Sequence, residues 1–176
     1  IDVWDTLLRR DCHPECIKLA TAQHLFLGWT DQIKPEFREG WALYKARLEA
    51  EHTLAEHAKT SGKDDEYEIT NVLTQWAKTV FFGPIPVDLP VRLAEFELSV
   101  EIARSYADPD ISHFLSSHEA EKTLFLSDFY MNAEMLGRLL AAKGLDTLVA
   151  EGLSSCDVGL NKRSGQIFRH LHSLHA

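Results

Sequence analysis

The sequence predicts an α/β fold, with a core built on a parallel sheet and an all-helical segment inserted directly after the first strand. Three observations carry the prediction. Ile1 leads straight into Asp2, as where a buried strand ends and delivers a carboxylate beyond the sheet. Helical periodicity then persists for roughly a hundred residues. From about residue 106 the rhythm changes to strand, helix, strand, helix with short links, the pattern of parallel strands joined by crossovers. The expected division is a core of residues 1–11 and 106–176 and a helical insertion of residues 12–105.

In chain order, Pro14 suits the first turn of a helix, with Ile17, Ala20, His24 and Leu27 on one face and Gly28 as its stop. Pro35 opens a second helix. There Phe37, Trp41, Tyr44 and Leu48 recur at spacings of four, three and four, an apolar stripe that reads as core. Ser61 to Asp65 is a polar break. A third helix over about 66–82 buries Ile69, Val72, Leu73 and Trp76, and Gly83-Pro84-Ile85-Pro86 is a connector. A fourth helix turns Val91, Ala94, Leu98 and Ile102 inward, with Glu95, Glu97 and Glu101 read as a solvated face.

Asp108-Pro109 reads as an N-cap and first helical residue of a short helix through Leu115. Thr123 to Leu126 is a strand. Asn132 caps a helix carrying Met135, Leu136, Leu139 and Leu140 that ends at Gly144. Leu148 to Ala150 is a short strand, and Ser164 to Leu174 is helical.

Composition limits the function classes. A net charge of -9 argues against non-specific nucleic-acid binding, which needs a basic surface. Three cysteines without framework spacing point to a reducing, cytoplasmic compartment. No apolar run reaches the roughly 18 residues of a membrane span. The chain starts at Ile1 within its first strand and stops at Ala176 within a helical pattern, so it reads as part of a longer protein.

The chemistry-bearing residues form an ordered set. Asp2 lies in Asp2-Val3-Trp4-Asp5-Thr6, Ser127 ends the run Leu124-Phe125-Leu126, and Lys162 sits in a loop flanked by Gly159 and Gly165. On its own, Asp2 is equally readable as a cap for the following turn. The order aspartate, serine, lysine resembles the haloacid dehalogenase superfamily over nearly the whole chain. The opening Asp2-Val3-Trp4-Asp5-Thr6-Leu7-Leu8, together with Ser127-Asp128-Phe129-Tyr130, is similar to a bacterial subgroup often associated with glycosyltransferases of polysaccharide synthesis.

The resemblance implies a Rossmann-like sheet core with a helical cap inserted after the first strand. It makes Asp2 the nucleophile of an aspartyl intermediate, Ser127 a hydrogen-bond donor to the transferring phosphoryl group, and Lys162 the cation offsetting its charge. Thr6 would position the loop. It also implies a magnesium ion held by Asp2, the Trp4 backbone carbonyl and a later aspartate. Asp128 and Tyr130, directly after Ser127, are candidate substrate contacts at the cleft mouth.

Two positions depart from the superfamily pattern. Its phosphatases carry an acid/base aspartate two residues after the nucleophile, where this chain has Trp4, whose indole transfers no proton. Its dehalogenases have an aromatic residue there. Asp5 does not simply replace the acid, because in an extended segment strand alternation points it away from Trp4's side, although a turn there would re-aim it. The acidic pair that completes the metal site has no candidate after Lys162; Asp157 precedes the lysine, and the loop Asp157-Val158-Gly159 reads as a positioning element. Cys12 and Cys16, four apart around His13, have no second ligand pair nearby, and His170, His172 and His175 share no single helical face.

The leading expectation is a magnesium-dependent phosphatase of a small phosphorylated sugar or metabolite. The alternatives are a non-catalytic or regulatory domain attached to a glycosyltransferase, and a dehalogenase-type hydrolase working without metal.

Overall fold

The computed structural model describes residues 1–118, 120–149 and 151–175. The element order is β1 (Leu8–Arg10), α1 (Glu15–Trp29), two 3₁₀ turns (Thr30–Gln32 and Pro35–Phe37), α2 (Gly40–Thr60), α3 (Ile69–Val80), α4 (Leu89–Arg104), β2 (Ser105–Ala107), α5 (Pro109–Ser117), β3 (Leu124–Ser127), α6 (Ala133–Ala141), β4 (Glu151–Ser154), α7 (Ser155–Val158) and α8 (Gln166–His175). The class is mixed α/β, as expected, dominated by helices, with a small sheet.

That sheet is parallel and positions the site. β3 and β4 pair with Ser127 opposite Ser154, and α6 makes the crossover between them. Ile1 hydrogen-bonds along the other side of β3, its N–H donating to the Leu124 carbonyl (2.7 Å) and its carbonyl accepting from Leu126 N–H (2.8 Å). These two bonds make a parallel-type rung centred on Phe125. Continuing the register brings Asp2 and Ser127 out at the same, carboxyl-terminal edge, where open α/β sheets bind ligands.

Local chemistry explains the helix boundaries. Glu68 caps α3 by accepting from the N–H groups of Thr70 (2.9 Å) and Asn71 (3.2 Å). Asn132 caps α6 through Met135 N–H, and Asp108 caps α5 through Asp110 N–H. Each such cap is worth about 1 kcal/mol. The expected stop at Gly28 is overrun by one residue, since a glycine inside a helix weakens it without breaking it. Pro35 starts only a 3₁₀ turn, and the second helix begins at Gly40.

α1 packs on α2 and α4, and α3 packs on α2 and α4, so the four helices close into a bundle, the helical layer of the molecule. Ile69, Val72, Leu73 and Trp76 are buried as expected, and Trp76 satisfies its indole by donating to the Leu43 carbonyl (2.9 Å). The buried cluster continues without a break from these helices into Val3, Phe125, Leu136 and Leu140. Helix and sheet therefore share one core.

The faces differ from expectation in several places. Trp41, Val91 and Leu27 are exposed, whereas Ile17, Tyr44, Ala94 and Leu98 are buried as expected, joined on their faces by Ala22, Leu25, Leu43 and Leu93. Glu97 and Glu101 are buried, not solvated. A hydrophobic pattern counts every glutamate as outward, whereas these two are neutralised by arginines from distant segments. Arg47 reaches Glu97, and Arg10 makes a two-pronged pair with Glu101, both bonds 2.9 Å. Glu95 does face solvent, paired with Arg138.

Leu148 lies in a turn, and the strand expected over 148–150 is β4, beginning at Glu151. Ala150, like Ala176, lies outside the described residues. Not anticipated from the sequence is the antiparallel ribbon of β1 with β2, pairing Arg9 with Tyr106. It brings together the point where the chain enters the helical layer and the point where it returns.

Candidate active site

The site begins with the tight turn after Asp2. Leu7 and Leu8 both donate to the Val3 carbonyl at 2.9 Å, and Asp5 closes the turn onto the Leu8 carbonyl at 2.8 Å. Asp5 adopts φ +57, a left-handed conformation that aspartate tolerates better than most residues. The turn separates neighbouring side chains. Trp4 lines the main cavity, whereas Asp5 and Thr6 line a shallow depression with Arg9 and Asp108. Thr6 is thus placed apart from that cavity.

Asp2 and Lys162, 160 residues apart in sequence, are in direct contact: Lys162 Nζ lies 2.6 Å from Asp2 Oδ2. The other carboxylate oxygen accepts the Val3 N–H at 2.8 Å. The Asp2 side chain keeps 43% of its exposure, so a solute can reach it. Lys162 Nζ also lies 3.5 Å from the Leu126 carbonyl, directly before Ser127. Ser127 itself is buried at the end of β3, and its hydroxyl makes no hydrogen bond within the described protein. A buried hydroxyl left so costs about 1–3 kcal/mol, which a hydrogen-bonding ligand would recover.

Asp128 holds the lysine loop. Its two carboxylate oxygens accept the Lys162 backbone N–H at 3.0 and 3.1 Å. Tyr130 lines the cavity while its phenol is anchored inward on Glu97; burial, then the charges of Glu97 and Glu101, push its pKa well above the ordinary value. Asp157 works in the fold, as the sequence implied. It forms a capping box with Ser154 and accepts the Ala133 N–H, and Gly159 follows in the left-handed region at φ 69.

The cavity measures about 450 Å³ and lies between the helical layer and the loops at the sheet edge. Trp4, Asp128, Phe129 and Asn161 supply its sheet side, and Lys18, Glu66 and Tyr67 its helical side. Trp4 is fixed by the Arg10 guanidinium 3.3 Å above its ring and by Phe129 at 5.3 Å. Such a stacked cation is worth about 1–2 kcal/mol. Among the described residues the indole N–H is buried without a partner.

Sequence reasoning passed over the helical side of this cavity. Asp64, Asp65 and Glu66 were part of a polar break or helix start, yet they grip the lysine loop. Asp64 accepts from Asn161 N–H (2.8 Å) and Ser164 Oγ (2.5 Å), and Asp65 accepts from Asn161 Nδ2 and Arg163. The available signal was three consecutive acids interrupting an otherwise helical stretch.

Of the oxygens implied for magnesium, Asp2 and the Trp4 carbonyl sit on the same turn. No group of three or more His, Cys, Asp or Glu side chains able to hold a metal occurs among the described residues. Magnesium is usually held by one or two carboxylates and keeps several waters, so Asp2 and the Trp4 carbonyl are the donors on this turn that would hold it. Cys12, Cys16 and Cys156 are free thiols. No described helix is long and apolar enough to cross a membrane.

No protein-family model matches the chain. No curated protein matches it either. Among solved structures, it is similar to the L-2-haloacid dehalogenase of Xanthobacter autotrophicus at 17% identity and a TM-score of 0.47, covering 92% of this chain and 57% of that one. A second dehalogenase is similar at 15% identity and a TM-score of 0.45, covering 96% and 66%. The chain spans less than two thirds of the length of either dehalogenase.

Proposed function

We propose that the chain is a hydrolase working through Asp2 as nucleophile on a small phosphorylated metabolite or sugar, with residues 12–105 acting as a helical cap over residues 1–11 and 106–176. The observation that supports this reading best is the 2.6 Å contact between Lys162 Nζ and a solvent-reachable Asp2 carboxylate at the sheet's carboxyl edge. A carboxylate is a weak nucleophile and works when held in line beside a cation that offsets charge on the transferring group.

In this reading an Asp2 oxygen attacks phosphorus as the bond to the leaving oxygen breaks. The Ser127 hydroxyl donates to a phosphoryl oxygen, Lys162 offsets the charge, and water then hydrolyses the aspartyl phosphate. Asp128 keeps the lysine loop in place, and Tyr130 contacts the substrate from the cavity wall. Magnesium bound by Asp2 and the Trp4 carbonyl would neutralise phosphoryl charge. No step here is routed through it.

A second reading is displacement at carbon, as in a dehalogenase. Trp4 favours it, since an aromatic ring lines the cavity where a phosphatase would carry its acid, and a halide leaves without needing a proton. One assay series separates the two: an activated aryl phosphate, a sugar phosphate and a 2-haloacid, each with and without magnesium, for the wild type and Asp2→Asn. Asp2-dependent release of phosphate supports the first reading, and Asp2-dependent release of halide the second. Turnover that survives Asp2→Asn unchanged rules Asp2 out as the nucleophile, and turnover absent on all three leaves a non-catalytic domain, such as one serving a glycosyltransferase.

A further inference from the structure

We propose that Glu66, contributed by the helical layer, is the proton donor and acceptor that Trp4 cannot be. The proposal rests on the phosphatase reading of Asp2 and deepens it. Glu66 lines the same cavity as Trp4, Asp128 and Asn161. It is half-buried, and its carboxylate is held from two directions, by the Ser155 hydroxyl at 2.5 Å and by the Asn161 side chain. Asn161 directly precedes Lys162, which grips Asp2. Trp4, Asp128 and Asn161, which line that cavity with Glu66, lie next to or close to Asp2, Ser127 and Lys162 in the chain.

Ser155 makes both protonation states of Glu66 tenable. Its hydroxyl accepts the Phe129 N–H at 2.9 Å and has two oxygens in reach, Glu66 Oε2 at 2.5 Å and the Phe129 carbonyl at 3.4 Å. When Glu66 is ionised, the hydroxyl donates to it. When Glu66 is protonated, the hydroxyl turns to the carbonyl and accepts from the acid. The groups facing Glu66 are Asp65 on its own loop, Asp128 after β3, Cys156 on α7, and Arg163 on the lysine loop across the cavity. Burial pushes the Glu66 carboxyl above its usual range, with the Ser155 and Asn161 hydrogen bonds offsetting part of the rise. A raised carboxyl pKa is what a donor at neutral pH needs.

The step balances without a further reactant. As Asp2 forms its bond to phosphorus, the electron pair of the breaking P–O bond stays on the leaving oxygen, which takes the Glu66 proton. Glu66, now a carboxylate, takes a proton from the water that attacks the aspartyl phosphate, releasing phosphate and restoring Asp2.

The test is leaving-group dependence in the full chain, comparing Glu66→Gln with wild type on a nitrophenyl phosphate and on an alkyl phosphate. General acid help is worth about 10²–10⁴-fold. The expected result is a loss of about 100-fold or more on the alkyl ester and under about tenfold on the aryl ester, whose leaving group needs no proton. The fall of alkyl-ester kcat with rising pH should vanish in the variant. Glu66→Asp, which keeps an acid, should restore part of the alkyl activity. Equal losses on both esters, or none, overturn the role of Glu66 while the Asp2 reading stands. A wild type without Asp2-dependent turnover on either ester overturns both.

Discussion

Arg47 and Glu97 meet inside the helical layer along two parallel bonds, Nη1 to Oε2 at 2.5 Å and Nη2 to Oε1 at 2.8 Å, with neither side chain exposed to solvent. Glu97 also accepts from Thr21 Oγ1 (2.8 Å), and Arg47 Nε reaches Glu51 (3.0 Å). Tyr130, two residues beyond Asp128, rests its phenol on the same glutamate. The loop after the candidate serine is thereby tied to the middle of the helical layer.

Breaking this pair from one side should cost far more than removing it whole. Arg47→Met leaves Glu97 buried without its main counter-charge, which destabilises by about 3–5 kcal/mol. Adding Glu97→Leu should restore a good part of that, because the orphaned charge is gone. Urea unfolding of the wild type, both singles and the double, with an unchanged m-value, measures it. A single-variant loss below about 1 kcal/mol would show the pair to be hydrated.

Asp64 should control the order of the lysine loop. It accepts from Asn161 N–H and Ser164 Oγ, and its own N–H donates to the Gly159 carbonyl at 3.0 Å. Asp64→Ala keeps the last bond and removes the first two. Amide exchange at Asn161 should accelerate by roughly tenfold or more while α6 stays protected, since opening is then local. If Lys162 serves Asp2, hydrolysis should slow by about 10–100-fold, the usual effect of a small misplacement. Unchanged exchange at Asn161 would mean that Asp65 and Asp128 hold the loop without Asp64.

How much of this was legible in the sequence depended on the range of the interaction. Caps act within three residues, so Asp108 and Asn132 were readable from order alone. The placement of Asp2 and Lys162 was readable because motif order carries what spacing cannot. The buried state of Glu97 and Glu101 was not, since it depends on arginines 50 and 91 residues away. The Asp64–Glu66 wall was missed for a related reason. A polar run between helices looks like any solvated loop until a second loop packs on it. The ribbon of β1 and β2 has only three residues a side, too short for an alternating pattern to show.

The cysteines should separate by reactivity. Burial pushes the Cys156 thiol up to about 12, so only about one molecule in ten thousand is thiolate at pH 8. Cys16 is exposed. Iodoacetamide at pH 8 should label Cys16 within minutes and Cys156 only in denaturant, as read by peptide mass mapping. Labelling of Cys156 at a similar rate in the folded chain would contradict its half-buried position on α7.

The parallel pair β3–β4 should not tolerate a methyl group at Gly152. A Cβ there would lie 2.2 Å from Phe125 Cγ and 2.4 Å from the Phe125 carbonyl oxygen. The ring can rotate away, but the carbonyl belongs to the neighbouring strand and cannot move without breaking the ladder. Gly152→Ala must therefore push the strands apart at the rung where Phe125 faces Gly152, two residues before the pairing of Ser127 with Ser154. Overpacking of this kind costs about 1–3 kcal/mol, and a strained ladder puts the variant at the upper end. The displacement should also reach the site, because Ser127 and the Leu126 carbonyl beneath Lys162 ride on the same strand. The expected outcome is a lowered urea midpoint together with faster exchange of the β3 amides. A Gly152→Ala chain with wild-type stability and unchanged β3 protection would show that the strands lie farther apart than this contact requires.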